Sequence, residues 1–260
     1  MKFSDDPNVR LKELNKLTEK EKQEILKFIS KGVPIEPWPF GMPCSAMPYV
    51  IALGVSPGAK PRPEDINIKT HRARGCLPTI NKPADFYYKD PKHYWPKVKK
   101  ICSFLVNRKL KTQSEENALK LSAHLNLGTG QSGKAGKKAI ESDILKWVSK
   151  LIYSKFKAKI VVGFGLTGLM KNPEINELWQ NSEGIQIDWK KPDYSRIIKL
   201  NNKNYYFRLW LTEREDKEKI AILLWPNHPS RIPFSGNADN NKNLDRALKE
   251  ADLFLTEHGF

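Results

Sequence analysis

Residues 128–135 read Gly-Thr-Gly-Gln-Ser-Gly-Lys-Ala, one residue away from the phosphate-binding loop G-x-x-x-x-G-K-[ST]. Such a loop holds phosphates on backbone amides and a lysine, here Lys134, with Lys137 and Lys138 close behind. Nucleotide hydrolysis needs more. Ala135 occupies the position whose hydroxyl should hold Mg²⁺, and neither later apolar strand ends in the acidic residue that normally completes the metal site. Contact with DNA phosphates uses the same amides and lysines without that metal.

Three further loops place polar groups on turns fixed by glycine or proline: Gly54-Val55-Ser56-Pro57-Gly58-Ala59, Gly163-Phe164-Gly165-Leu166-Thr167-Gly168 and Trp225-Pro226-Asn227-His228-Pro229-Ser230-Arg231. A fourth loop begins at Asn126 and leads into Gly128. Each follows a short apolar run, at 49–53, 160–164, 220–224 and, more weakly, 121–125, as expected of strands covered on both faces. Open parallel sheets bind ligands beyond the carboxyl ends of their strands, so these loops are where function is expected.

The elements that must position them follow from periodicity. Ile140, Ile144, Leu145, Val148, Leu151, Ile152 and Phe156 form one helical stripe, and a last amphipathic helix runs from about Leu244 to Leu255, with Gly259 as its stop. Residues 197–200 and 205–211 flank an Asn-Asn-Lys-Asn turn and predict a hairpin inserted before the last core strand. The pattern predicts an α/β fold: a three-layer α/β/α domain with a central, largely parallel four-stranded sheet plus the hairpin. Residues 9–29 read as charged helix. Five prolines between 33 and 48 exclude a helix or central strand there, which divides the chain into an N-terminal helical extension, 1–32, and one domain, 33–260.

The 260 residues carry 45 Lys plus Arg against 29 Asp plus Glu, a formal charge of +16. That excess argues against an acidic or neutral metabolic enzyme and for a polyanionic partner, of which nucleic acid is the commonest. Cys44, Cys76 and Cys102 are too scattered for a disulfide framework or a metal-ligand pair. No window has the roughly 18 to 20 apolar residues of a membrane span, and no signal peptide opens the chain, so a reduced, cytoplasmic protein without a membrane partner is expected.

Taken together, the loops resemble those of the uracil-DNA glycosylase superfamily, α/β/α enzymes that flip a nucleotide out of DNA and hydrolyse its base–sugar bond. Gly54-Val55-Ser56-Pro57-Gly58 is similar to the family's first loop, written G-Q-D-P-Y, G-I-N-P-G or G-E-A-P-G in different branches, and His228-Pro229-Ser230 to its last, H-P-S. Asn126 sits where some branches place a base-reading Asn. The likeness spans about residues 49–235 and lies in the order of short motifs, each behind a buried strand.

The resemblance implies roles. A neutral His228 would hydrogen-bond the pyrimidine oxygen on which charge develops as the base leaves. Asn126, both donor and acceptor, would pair with the edge of the flipped base. Ser230 and the amides of Ser56, Gly58 and Ala59 around Pro57 would grip phosphates beside Gly54 and Val55, while the loop of Arg231, Ile232 and Phe234 would enter the minor groove, core packing being the alternative for Ile232 and Phe234. Lys134 would add a phosphate contact. No cofactor, metal or obligate protein partner is implied; the partner is DNA, expected to be double-stranded and modified.

Two departures bear on substrate. Ser56 stands where the uracil-specific branch has an Asp that positions water, leaving Glu64 or Asp65 as candidates for that task. Gly58 replaces a Tyr whose bulk excludes 5-substituted bases, so room remains for a larger base, such as glucosylated 5-hydroxymethylcytosine in phage DNA. Uracil excision in repair, or an inactive DNA-binding relative, are the alternatives. The basic residues Lys60, Arg62, Lys69, Arg72 and Arg74, and Lys92, Lys97, Lys99 and Lys100 interleaved with Tyr94 and Trp95, suit backbone contacts to DNA.

Overall fold

The run Val50–Gly54 forms a strand buried at all five positions, and its side chains feed two cores. Val50 and Ala52 enter one; Ile51 and Leu53 enter the other. A strand apolar on both sides is satisfied only inside a sheet that helices cover above and below. The computed structural model describes residues 35–36, 48–54, 95–127, 142–167, 172–181, 183–231, 233–234 and 238–260. Its strands are β1 (Ile35–Glu36), β2 (Val50–Gly54), β3 (Ser122–Asn126), β4 (Ile160–Gly163), β5 (Tyr194–Leu200), β6 (Lys203–Glu213) and β7 (Lys219–Leu224). They make one seven-stranded sheet of order β1-β3-β2-β4-β7-β6-β5. The neighbours β3, β2, β4 and β7 are parallel; β1, β6 and β5 join antiparallel.

The α/β class agrees with the pattern in the sequence, whereas the four-stranded sheet is corrected to seven strands. Left as an edge, β7 would expose a row of backbone donors and acceptors. Instead β6 pairs along it from Arg208↔Leu224 to Glu213↔Lys219, so the hairpin extends the sheet. At the other edge, two residues of the proline-rich segment pair with His124 and Leu125 of β3. The N-terminal helical extension expected over 1–32 lies outside the described residues.

On one face lie α1 (Trp95–Leu110), α2 (Glu115–Lys120) and α5 (Ala238–Glu257); on the other lie α3 (Ser142–Lys150), its π-helical continuation Leu151–Lys155, and α4 (Pro173–Gln180). Helix α5 begins six residues before the sequence reading, at Ala238 rather than Leu244. Helix α1 had been hidden behind its lysines. Val98, Ile101, Cys102, Leu105 and Val106 recur at helical spacing and are fully buried. Lys99 lies 3.7 Å from Glu115 and Lys100 2.5 Å from Asp245, while burial lowers the Lys97 ammonium pKa. Lys99 and Lys100 thus pair with α2 and α5 across the surface of α1, Lys99 staying partly exposed and Lys100 exposed. Arg108 completes the clamp, its Nε donating to Asp252 Oδ1 at 2.6 Å and its Nη2 to Thr256 Oγ1 at 2.7 Å on α5. Burial pushes the Cys102 thiol up, so it stays protonated and packs as a small apolar side chain.

The hairpin turn is set by Asn201 and Asn202, both left-handed at φ 48° and 60°, as a two-residue primed turn requires. On the opposite face the segment after α4 packs directly on α3. Ser149 Oγ donates to the Ile185 carbonyl at 3.1 Å, and Gly184 lies against the α3 backbone. A Cβ on Gly184 would stand 2.6 Å from Lys150 N and closer still to the Ser149 carbonyl carbon. Because backbone cannot swing aside, Gly184→Ala is expected to cost about 1–3 kcal/mol, the usual cost of overpacking. The urea midpoint of the variant against the parent measures it; an unchanged midpoint would mean that α3 and this segment separate freely.

Candidate functional site

The four parallel strands end level with one another. Gly54 of β2 is registered with Asn126 of β3, Leu53 with Gly163 of β4, and Gly163 with Leu224 of β7. The ladders continue into the loops. Leu127 N–H donates to Gly54 O at 3.1 Å, Phe164 N–H to Leu53 O at 2.8 Å, and Trp225 N–H to Gly163 O at 3.0 Å. With strands about 4.8 Å apart, three spacings separate the Asn126 strand from the β7 strand, about 14 Å. The loop after β7 bridges part of that distance, because His228 lies against Gly165 in the loop after β4.

This last loop is built to hold one side chain. Trp225 anchors its start, fully buried and 5.9 Å in centroid distance from Phe234, which anchors its end; fully buried in the core, Phe234 is no minor-groove wedge, a correction to the expectation. Between them, Arg231 N–H donates to His228 O at 2.9 Å and Phe234 N–H to Arg231 O at 2.8 Å, two successive tight turns. The Asn227 side chain accepts from the His228 amide at 2.8 Å. Pro226 and Pro229 fix φ on either side of that pair.

The half-buried His228 ring has its protonation fixed by its neighbours. The backbone N–H of Ser230 points at Nδ1 (3.3 Å), and Ser230 Oγ lies 2.7 Å from the same nitrogen. A backbone N–H can only donate, so Nδ1 accepts and the ring proton resides on Nε2. Burial, with the charge of Arg231 adding to it, lowers the imidazole pKa from 6.5 to about 4. The group is therefore neutral at physiological pH and a hydrogen-bond donor at Nε2.

Gly165 makes this placement possible. Its φ of +70° is a conformation that side chains rarely adopt, and a Cβ there would meet His228 Cδ2 at 3.2 Å. In the sequence, the only sign of this role is a glycine two residues past a buried strand.

Of the expected site residues, the structure brings Gly54, Asn126, His228, Ser230 and Arg231 to this one edge, Asn126 being placed by its backbone alone. The Ser230 hydroxyl, expected at a phosphate, is engaged with His228 Nδ1 and spends its proton there. Arg231 is exposed at the loop surface. Ser56, Asp65, Val55, Pro57, Gly58, Ala59, Ile232, Lys134 and the 128–135 loop lie outside the described residues, as do Glu64 and the basic stretch 60–74. Among the described residues no group of His, Cys, Asp and Glu is placed to hold a metal ion, and no helix is long and apolar enough to cross a membrane. No protein-family model, curated protein or solved structure matches the chain.

The lowered His228 pKa has a definite sign. The folded state favours the neutral ring, so its contribution to stability is complete above pH 6.5 and is lost as pH falls from there toward about 4. In nitrogen-detected NMR the His228 ring should show the Nε2-protonated tautomer at pH 7 and stay neutral at pH 5.5. His228→Gln should flatten the fall in stability between pH 6.5 and 4. A His228 signal titrating near 6.5 would contradict the burial argument.

Proposed function

We propose that this chain is a DNA glycosylase with an α/β/α domain of the uracil-DNA glycosylase kind, which flips a nucleotide and hydrolyses the N-glycosidic bond of a modified pyrimidine. One observation carries the reading: a neutral, Nε2-protonated imidazole stands in the loop beyond β7, at the same strand-end edge as Gly54 and Asn126. When the bond between the base N1 and the sugar C1′ breaks, its electron pair leaves with the base and charge accumulates on the pyrimidine O2. A neutral N–H donor fixed beforehand stabilises that charge more than the ground-state carbonyl. Water then adds to C1′, and the proton it loses is matched by protonation of the departed base, so the products are the neutral free base and an abasic sugar with a C1′ hydroxyl.

Neutrality matters in this scheme. The ring donates without needing to be charged, and its donor direction is set by Ser230 rather than by the substrate. Burial, and after it the charge of Arg231, keeps the ring from protonating, and Arg231 adds a cation for DNA phosphates to meet. Base reading is assigned to Asn126, and the first loop is assigned to the phosphates. Substrate size is assigned from the sequence resemblance, in which Gly58 stands where the uracil-specific branch has a Tyr whose bulk excludes 5-substituted bases. We assign glucosylated 5-hydroxymethylcytosine in phage DNA, with abasic sites as product and defence against phage as the purpose.

The protein should be incubated separately with phage DNA bearing that base and with uracil-containing DNA, and the released base identified by mass spectrometry. Release of the glucosylated cytosine is expected; uracil alone would overturn the substrate, and no base from either DNA would overturn the enzyme. His228→Ala should slow base release about a hundred- to a thousandfold, the usual cost of losing one such donor, while DNA binding is retained. Loss of binding with base release unaffected would remove His228 from the role given it.

A further inference from the structure

The β5–β6 hairpin reaches past the strand-end edge. Arg208 is registered with Leu224, the last residue of β7, so residues 203–207 of β6 and their β5 partners run on beyond it. Five residues at about 3.3 Å each extend roughly 17 Å past the ends of the parallel strands. The extension is held beside the His228 loop. Phe207 packs on Trp225 at 5.3 Å between centroids, and the Asn243 amide on α5 donates both to Asn201 Oδ1 in the hairpin turn (3.0 Å) and to Pro233 O (3.2 Å).

Its two faces differ. Ile198, Leu200, Phe207 and Leu209 enter the core shared with α5. The alternate residues Ser195, Ile197, Lys199, Asn204, Tyr206 and Arg208 face the other way, where only the stretch next to Trp210 is covered. Ile197 and Tyr206, a registered cross-strand pair, are 58% and 42% exposed, two of four large apolar side chains so exposed among the described residues. The Arg208 guanidinium lies 5.8 Å from the Tyr206 ring centre. None of these six side chains is a carboxylate, and among the described residues Lys199 has no ion-pair partner; Lys203, registered with Leu200, lies on the other side of the hairpin.

We infer that this face is a platform for a DNA strand, on which an unpaired base beside the extruded nucleotide stacks against Tyr206 and Ile197 while Lys199 and Arg208 meet its phosphates. An aromatic ring set among cations is what a nucleic acid strand requires, since every base has a π-face and every linkage a negative charge. The platform rests on the DNA-acting reading of the His228 site, and places the strand where that site would work on it.

The test is fluorescence anisotropy with a short labelled DNA single strand, over a series of salt concentrations, with sedimentation of the free protein alongside. Tyr206→Ser should weaken binding on the order of five- to a hundredfold with little change in salt slope, the effect of removing a stacked base. Lys199→Gln should lower the slope of log K against log salt by about 0.7. Both side chains are exposed, so circular dichroism should match the parent. Parental affinity and slope in both variants would overturn the platform, as would variants that change only the oligomeric state, which would make the face a contact between copies of the chain. Binding is read without catalysis, so the two proposals fail separately: platform-dependent binding without base release removes the enzyme and keeps the platform, and base release with platform-independent binding does the reverse.

Discussion

The parallel ladder through β3, β2, β4 and β7 is the constraint on which the rest of this molecule depends. Because neighbouring parallel strands are hydrogen-bonded in fixed register, the position of one strand end determines the next. Gly54, Asn126, Gly163 and Leu224 are carried to a common edge by residues 50–53, 122–125, 160–162 and 219–223, which have no chemistry of their own. The price is that every strand must be apolar on both faces, and two separate cores supply that, with the side chains of β2 assigned alternately to each. A one-residue slip would exchange the cores and move every loop.

Given that edge, the state of His228 follows from local packing. Trp225 and Phe234 close the loop at its base, the prolines limit its path, and Ser230 is brought back within reach of Nδ1. Each contact removes a freedom: ring orientation, tautomer, and finally charge, since the partly desolvated imidazole next to Arg231 holds its neutral form well below its ordinary pKa. Gly165 meets the ring from the adjacent strand, so the loops after β4 and β7 depend on each other.

Much of this was legible in the residues, and the failures have physical causes. The apolar runs of β2, β4 and β7 stood out because strands buried on both faces lose the polar alternation that could be confused with helix. The turn at Asn201–Asn202 was legible because Asn tolerates the left-handed region. Helix α1 was missed because lysines at positions 97, 99 and 100 drew attention from the buried stripe beneath them. Helix α4 is short, yet Asn172, whose side chain accepts from the Glu174 amide, and Pro173 after it are a start signal visible in sequence. The strand count failed because hairpin pairing depends on which edge lies open, and that is decided by the tertiary fold. The Ser230–His228 contact joins residues two apart, yet nothing in the residue types says whether a serine hydroxyl turns inward to a ring or outward to a ligand.

The distribution of charge connects the two ends of the sheet. At the amino-terminal edge of β7 and the β6–β7 turn, Asp216 is bonded to Lys157 at 2.7 Å and to the buried Arg214 at 3.0 Å, and Glu218 is bonded to Lys159, whose ammonium holds its carboxyl below the usual range. Arg214 also donates to Phe156 O at 3.1 Å. Acids and bases cancel at that end. On the far side of α5, Arg196 is matched by Glu250 and Glu257. What remains unmatched among the described residues of the hairpin are Lys199 and Lys203, both at the overhanging end beside His228. Among the described residues, the buried Arg214 is neutralised where it is desolvated, whereas the hairpin tip keeps exposed cations that solvent or a polyanion can meet.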